Sequence, residues 1–369
     1  MDYRPGLEGV IAAETAISFL DVDHEEIVVR GYNLLDLARE KTYVDVAALL
    51  IDGALPDEAR RSELERTLVA ESRVPEAIWT ILRALPPSMH AMDRLRTAVS
   101  ALAGFDPEVD DHSPEANRRK GIRALAKIAT VVANLHHIAE GRPPAEPNPG
   151  RGFVENMLTM IVGRNVTPAE VRAFDISLIA YSEHEMPNST FTARVIASTM
   201  SDLYGALTGA VASLKGPLHG GANEAVMHMM LEAGTTEGME ALILNKLAAK
   251  ERIMGFGHRV YMKKMDPRAA LLKETLRTLV DAGADGRWLA MGEVGEAVMQ
   301  REKGLYPNLD YYAAPVYYVL GIPIELYTPI FFAARTAGLV AHVVEQHAAN
   351  RLFRPRVRYT GPRGLKPTR

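Results

Sequence analysis

The chain has 369 residues, 47% hydrophobic and 24% charged, a composition ordinary for a globular protein with a sizeable core spread over about two domains. Its 42 basic and 46 acidic residues leave a formal net charge of −4, which argues against nucleic acid as the main partner. Without a single cysteine it has no disulfide, no thiolate metal site and no cysteine nucleophile, and no apolar run approaches the roughly 18 residues of a membrane span. The first residues, Met1-Asp2-Tyr3-Arg4-Pro5, lack the apolar core of a signal peptide, so a cytoplasmic location is expected.

The opening reads as a β-hairpin, with strands over 10–17 and 26–30 around an Asp21-Val22-Asp23-His24 turn. From Leu34 onward apolar residues recur at three- and four-residue spacing, notably over 43–53, 75–85 and 90–104, and the fold class is mainly α. The acidic stretch 106–111 lacks the alternating carboxylates and glycine of a calcium loop and reads as solvated. The proline-rich segment 141–150 reads as a surface loop, with a domain boundary as the alternative. Thr167-Pro168-Ala169-Glu170 is a capping box with proline at the first helical position. That helix should end near Tyr181 and deliver His184 just beyond. A long helix over 190–214, rich in small residues, is expected to be central or to lie at a subunit interface, and Lys215-Gly216-Pro217 stops it. No repeat of fixed period is present. The segment 354–369 carries six basic and no acidic residues and suits a clip for carboxylates or phosphates.

Among the 11 histidines, His136, His137, His342 and His347 lie in helical runs without metal-binding spacing and read as structural or solvated, so no metal site is expected. His184, His219 and His258 sit instead on loops at the ends of helical elements, two of them beside glycines that let a ligand approach the backbone. The Gly255-x-Gly257 pair lacks the third glycine and the preceding strand of a dinucleotide site, which makes nicotinamide chemistry improbable. Asp310, between Asn308 and an aromatic helix start, reads either as a base strengthened by desolvation or as a helix cap. Arg268, Arg335 and Arg354 occupy apolar or proline-punctuated contexts. Buried salt bridges explain any one of them, but three beside three loop histidines point to a substrate with two or more carboxylates.

These segments, in this order, resemble the citrate synthase family along almost the whole chain. They are Gly6 to Val10, Arg30 to Tyr32, His184 to Ser201, Gly216 to Glu224, Gly255 to Tyr261, Asp266 to Arg268, Pro307 to Asp310 and Arg351 to Pro355. Glu183 to Phe191 and Tyr261 to Arg268 look most like the bacterial 2-methylcitrate synthase branch. The resemblance implies a two-domain helical fold, with residues 1–217 and 326–369 as a large domain and 218–325 as a small domain closing over the substrates. It implies a homodimer, no cofactor beyond the acyl-CoA substrate, and condensation of propionyl-CoA or acetyl-CoA with oxaloacetate.

It also implies roles. Asp310 would take the α-proton, His219 would hold the thioester oxygen and His258 would polarise the ketone. His184, Asn188, Arg268, Arg335 and Arg354 would hold oxaloacetate, with Arg354 supplied by the partner subunit. Ile253, Met254, Gly255, Phe256, Gly257 and Asn308 would touch CoA. Two departures from the family pattern stand out: Met186-Pro187-Asn188-Ser189 replaces a more usual His-Glu-x-Asn-Ala-Ser, and the span from His258 to Arg268 is one residue longer. Ala313 and Ala314 are expected to leave space for the extra methyl of a propionyl group. The alternatives are a citrate synthase preferring acetyl-CoA, a citryl-CoA lyase (disfavoured by the lack of an ATP-binding module) and an inactive helical scaffold.

Overall fold

A computed structural model describes residues 3–21, 24, 26–217, 219–257 and 264–367; Val22 and Asp23 of the expected turn, and His258, lie outside the described residues. Sixteen α-helices and one small antiparallel sheet make up the described fold. The sheet pairs Ser18–Asp21 with Glu26–Val29, and the latter with Tyr32–Asn33. The first strand therefore lies later than the expected 10–17. Its register, Ser18 opposite Val29 and Leu20 opposite Ile27, buries Leu20, Ile27 and Val29 while leaving Phe19 outside. The preceding backbone is claimed elsewhere, since the Ala16 amide donates to Glu345 Oε1 at 2.9 Å.

The three early helical expectations appear as Tyr43–Asp52, Glu76–Ala84 and Ala91–Leu102. The acidic stretch is solvated at Pro107, Asp110 and Asp111, as expected, but is anchored at its start. Asp106 is buried, takes Arg123 Nη2 at 2.7 Å and accepts from Tyr204 Oη at 2.7 Å. Residues 141–150 form a loop between Pro114–Ala139 and Phe153–Val162, pinned where Asn134 and Asn156 bond its backbone at Ala145 and Asn148.

Two long helices form the centre, Pro114–Ala139 and Tyr327–Ala348, the second buried along nearly its whole length. A Cβ at Gly121 would collide with Val340, so the first helix presents bare backbone where the two cross. Pro168–Ser182 carries the expected capping box, Thr167 Oγ1 accepting from Glu170 N and Glu170 Oε2 from Thr167 N.

The expected 190–214 helix is broken in two, Asn188–Ala197 and Leu203–Leu214. Ser198 and Thr199 bond back to Val195 O and Ile196 O at 2.7 Å, Met200 adopts φ 62°, and Asp202 caps the second helix on Gly205 N at 2.9 Å. The small residues serve this reversal, because a Cβ at Gly209 would strike Ile196 of the other half.

A second group of helices comprises Ala222–Ala233, Thr236–Ala248, Pro267–Asp281, Arg287–Lys303 and Leu309–Val319. Within it Pro267–Asp281 packs on Leu309–Val319, and Thr236–Ala248 on Arg287–Lys303. Pro267–Asp281 also meets Pro168–Ser182, with Arg39 and Arg172 facing Glu274 across a groove of about 230 Å³.

Candidate active site

The expected residues converge on two aromatic rings that sequence reasoning did not select. Tyr181, in the last turn of Pro168–Ser182, donates its hydroxyl to Asp310 Oδ1 at 2.6 Å, while its backbone carbonyl accepts from Arg335 Nε at 2.6 Å. Phe331 lies one turn before Arg335 on Tyr327–Ala348. Its ring centroid is 4.5 Å from that of Tyr181 and 6.4 Å from that of His219, and it sits 4.8 Å from the Arg335 guanidinium carbon. Asp310, His219 and Arg335, separated by up to 116 positions in the chain, therefore surround one apolar surface. Spacing carried a signal for one ring: Phe331 precedes Arg335 by four residues, so the two share a helical face, whereas Tyr181 is separated from His184 by the end of its helix.

Asp310 is not the cap. Asn308 caps Leu309–Val319, its Oδ1 accepting from Asp310 N at 3.1 Å, and Asp310 stands in the first turn. Burial pushes the Asp310 carboxyl up to about 6; the Tyr181 hydrogen bond and the charges of Arg268 and Arg335 oppose that rise, and Asp266 adds to it. His219 moves the other way, to about 4, first through burial and then through the Arg335 charge. It is neutral at physiological pH. The Ser189 amide donates to His219 Nε2 at 3.2 Å, with Ser189 Oγ at 2.9 Å from the same nitrogen. Nε2 is thus the acceptor and Nδ1 carries the proton.

Arg335 is 2% exposed, and burial above all lowers it to about 10. Its Nη1 is buried without a hydrogen-bond partner among the described residues, a cation prepared for an anion from outside. Arg268, also buried, forms a two-point pair with Asp266, Nε to Oδ1 at 3.1 Å and Nη2 to Oδ2 at 2.7 Å. It is close enough to shift both Asp310 and Arg335.

His184 is buried, held by a clamp built from the first strand. Ser18 Oγ donates to Glu183 Oε1 at 2.8 Å and accepts from the Glu185 amide at 2.9 Å, so both neighbours of His184 are fixed by one hydroxyl. Glu185 takes φ 61° there. Glu183 is fully buried; its burial favours the acid, but His342, Arg335 and Ser18 outweigh that and hold it below the usual carboxylate range. His342, expected to be structural or solvated, is wholly buried and bridges Glu183 Oε1 at 3.2 Å to Arg194 Nε at 2.9 Å. A Cβ at Gly338 would collide with Glu183, which is why that position is glycine where the two helices meet.

Residues 253–257 are laced to 306–308. Asn308 N donates to Gly255 O at 2.9 Å, Gly257 N to Tyr306 O at 2.9 Å, and Asn308 Nδ2 to Gly257 O at 3.1 Å. Phe256 forms an isolated bridge with Pro307, while Ile253 is buried and Met254 packs on the core beside it. Gly255 and Gly257 have φ 86° and 77°, and a Cβ at Gly255 would meet Val226 and Tyr311. Asn308 thereby joins this loop directly to Asp310.

Two expectations end elsewhere, those for Asn188 and for the Ala313–Ala314 pocket, while Arg354 lies apart from the site within this chain. Asn188 is exposed and its Oδ1 accepts from Ser213 Oγ at 2.6 Å; its neighbour Ser189 is the residue that meets His219. Arg354 is exposed on this chain, following Phe353, whose amide is tied to Ser198 Oγ and whose ring contacts Phe191. Ala313 and Ala314 are both 0% exposed and belong to the hydrophobic core, so neither presents surface to a pocket for an extra methyl. Among the described residues no cluster of three metal-ligating side chains occurs, and no helix is long and apolar enough to cross a membrane.

The family model described as citrate synthase, C-terminal domain, matches residues 6–356. Citrate synthase of Heyndrickxia coagulans is 58% identical over 364 residues, covering 99% of this chain and 98% of that protein. Citrate/2-methylcitrate synthase of Bacillus subtilis is 57% identical over 361 residues, covering 98% and 97%. Among solved structures, citrate synthase of Thermoplasma acidophilum, in a ternary complex with carboxymethyl coenzyme A and oxaloacetate, superimposes with a TM-score of 0.92 at 30% identity, covering 100% of this chain and 98% of that one. With this fold, and with a buried carboxyl, a neutral histidine and a buried arginine whose Nη1 has no hydrogen-bond partner among the described residues gathered around the same rings, the chain belongs to the citrate synthase family.

Proposed function

We propose that the protein condenses propionyl-CoA, and also acetyl-CoA, with oxaloacetate and water, giving 2-methylcitrate or citrate and free CoA. The observation that carries this reading is the grouping of Asp310, His219 and Arg335 around Phe331, with their proton affinities displaced in the directions the chemistry needs. It is supported by the 57% identity to a protein named citrate/2-methylcitrate synthase.

Asp310, ionised above about pH 6, removes a proton from the carbon next to the thioester carbonyl. The Nδ1–H of neutral His219 donates to the thioester oxygen as negative charge develops there. The resulting nucleophilic carbon attacks the ketone carbon of oxaloacetate, which His258 polarises, and one carbon–carbon bond forms. Water then cleaves the thioester and CoA leaves as the thiol. Arg335 Nη1 and His184 receive oxaloacetate carboxylate oxygens, joined by Arg268 beside its Asp266 partner. The loop 253–257 with Asn308 receives CoA.

The partition into 1–217 with 326–369 and 218–325 belongs to the same proposal, the smaller part closing to exclude water before reaction. So do a cytoplasmic homodimer, in which the exposed Arg354 reaches the partner subunit's site, and a place in propionate and citric acid cycle metabolism. No cofactor is invoked, since the acyl-CoA is itself a substrate.

Release of CoA thiol, read with a thiol-reactive dye, tests the proposal. The protein contributes no thiol of its own, so every new signal is product. A higher kcat/KM for propionyl-CoA than for acetyl-CoA establishes the 2-methylcitrate role, and the reverse order assigns plain citrate synthesis. No release with either acyl-CoA refutes the proposal.

A further inference from the structure

We propose that Tyr181 is a positioning residue for Asp310: its hydroxyl, donating to Oδ1, holds the carboxylate ionised near neutral pH and leaves Oδ2 to receive the substrate proton. This inference rests on Asp310 being the base. The geometry carries it. Tyr181 Oη lies 2.6 Å from Asp310 Oδ1, within the range of a charge-assisted O–H···O bond. The phenol is completely buried, its ring packed against Phe331 at 4.5 Å and Tyr317 at 6.5 Å, so the hydroxyl cannot swing to solvent. Burial, then the Asp310 charge, raise the phenol well above its ordinary value, so it remains a donor wherever the enzyme works.

Behind the phenol a polar line continues. Asn223 Nδ2 approaches Tyr181 Oη at 3.5 Å, Thr328 Oγ1 approaches Asn223 Oδ1 at 3.4 Å, and Thr328 also bonds Glu224. Asn223 and Thr328 are buried, and Glu224 is itself raised by burial. The donated proton of Tyr181 thus has one acceptor, Asp310, while its oxygen is fed from the Asn223 amide.

Among the described residues, the charged and titratable groups facing Asp310 come from four helices. They are Tyr181 on Pro168–Ser182, Arg268 on Pro267–Asp281 with its cap Asp266, Arg335 on Tyr327–Ala348, and Tyr317 on Asp310's own helix. Arg268 and Arg335 also favour the carboxylate, but both are positioned to receive substrate carboxylates, which neutralise them once oxaloacetate is bound. Tyr181 is the stabilising group that substrate does not consume.

The test is the pH profile of kcat/KM for Tyr181→Phe, which keeps the ring and removes the donor. The acid limb is expected to move up by about one pH unit, so that the loss is about fivefold at pH 6, approaches about tenfold below pH 5 and shrinks toward alkaline pH. A uniform loss across pH, with the limb in place, would overturn the proposal and leave Tyr181 a packing residue. A second readout needs no turnover. The pH at which the melting-temperature gain of Asp310→Asn reaches its plateau, set by the folded-state carboxyl, should rise by the same amount when measured in the Tyr181→Phe background, and an unchanged plateau pH overturns the proposal equally. If Tyr181→Phe does not fold, Asn223→Ala, which removes the amide feeding the phenol oxygen, should move the limb in the same direction by a smaller amount, and a stationary limb counts against the inference. Asp310→Asn run alongside separates the two ideas. Retained activity in that variant sinks the base assignment, whereas an inactive Asp310→Asn with an unmoved Tyr181→Phe limb sinks only the role of Tyr181.

Discussion

Replacing Asp310 by asparagine should remove the activity and at the same time make the folded protein harder to melt at neutral pH. Burial raises the carboxyl from 3.8 to about 6 despite the opposing hydrogen bond from Tyr181 and the charges of Arg268 and Arg335. The folded chain therefore holds this proton more tightly than the unfolded chain does. Below about pH 4 the group is protonated in both states and adds no penalty. As pH rises from 4 to 6 the unfolded state ionises first and stability falls; above 6 both states are ionised and the whole penalty is present. A displacement of about two pH units corresponds to at most ~3 kcal/mol, and the partial contact of the carboxylate with solvent reduces the realised figure to about 1–2 kcal/mol. Asparagine cannot ionise and escapes this penalty, while its Oδ1 still accepts from Tyr181. Melting curves at pH 4.5, 6 and 8 should show Asp310→Asn ahead by about 2–5 °C at pH 8, with the gain fading by pH 4.5. In the same preparation thiol release should fall by about 10²–10⁴-fold. A variant no more stable than the parent at pH 8, or a gain independent of pH, would refute the argument that desolvation dominates this carboxylate.

Arg335→Gln should raise KM for oxaloacetate by about 10–100-fold through loss of a charge-assisted bond, and an unchanged KM would show that Nη1 meets something other than substrate. Gly255→Ala forces a side chain into φ 86° against Val226 and Tyr311. A cost of about 1–3 kcal/mol in a denaturant melt is expected, together with a higher KM for the acyl-CoA. Ala313→Leu overfills a closed part of the core and should lower stability by about 1–3 kcal/mol, reducing propionyl-CoA and acetyl-CoA turnover alike; a selective loss of propionyl-CoA turnover would restore the methyl pocket beside this residue.

Local signals in the sequence were strong where one segment carried its own explanation. The Thr167/Glu170 box, the Gly216-Pro217 stop and the glycines at 255 and 257 each act within a few residues, and each is legible without a partner. Asp310 was legible as an aspartate ahead of an aromatic, apolar helix start, although Tyr181, Arg268 and Arg335 reach it from other helices. What could not be read was whichever feature depends on a distant partner. The first strand starts at Ser18 because Glu345 takes the Ala16 amide, and the long small-residue helix breaks because Asp202 finds a cap that outcompetes continuation. His342 looked idle because Glu183 and Arg194 are brought to it only by folding. Asn188 and Ser189 are adjacent, and no spacing rule tells which of them turns toward His219.

The Ser18 clamp has a consequence for biosynthesis. Ser18 reaches Glu183 across 165 positions, and the neighbouring Ala16 is tied to Glu345 across 329. A ribosome must therefore release nearly the entire polypeptide before the strand that steadies His184 can dock, and closures of such long span are entropically slow. Late closure also leaves the helices that pack on Tyr327–Ala348, Pro114–Ala139 foremost, without their central partner until the end of synthesis, so apolar surface stays open in the nascent chain.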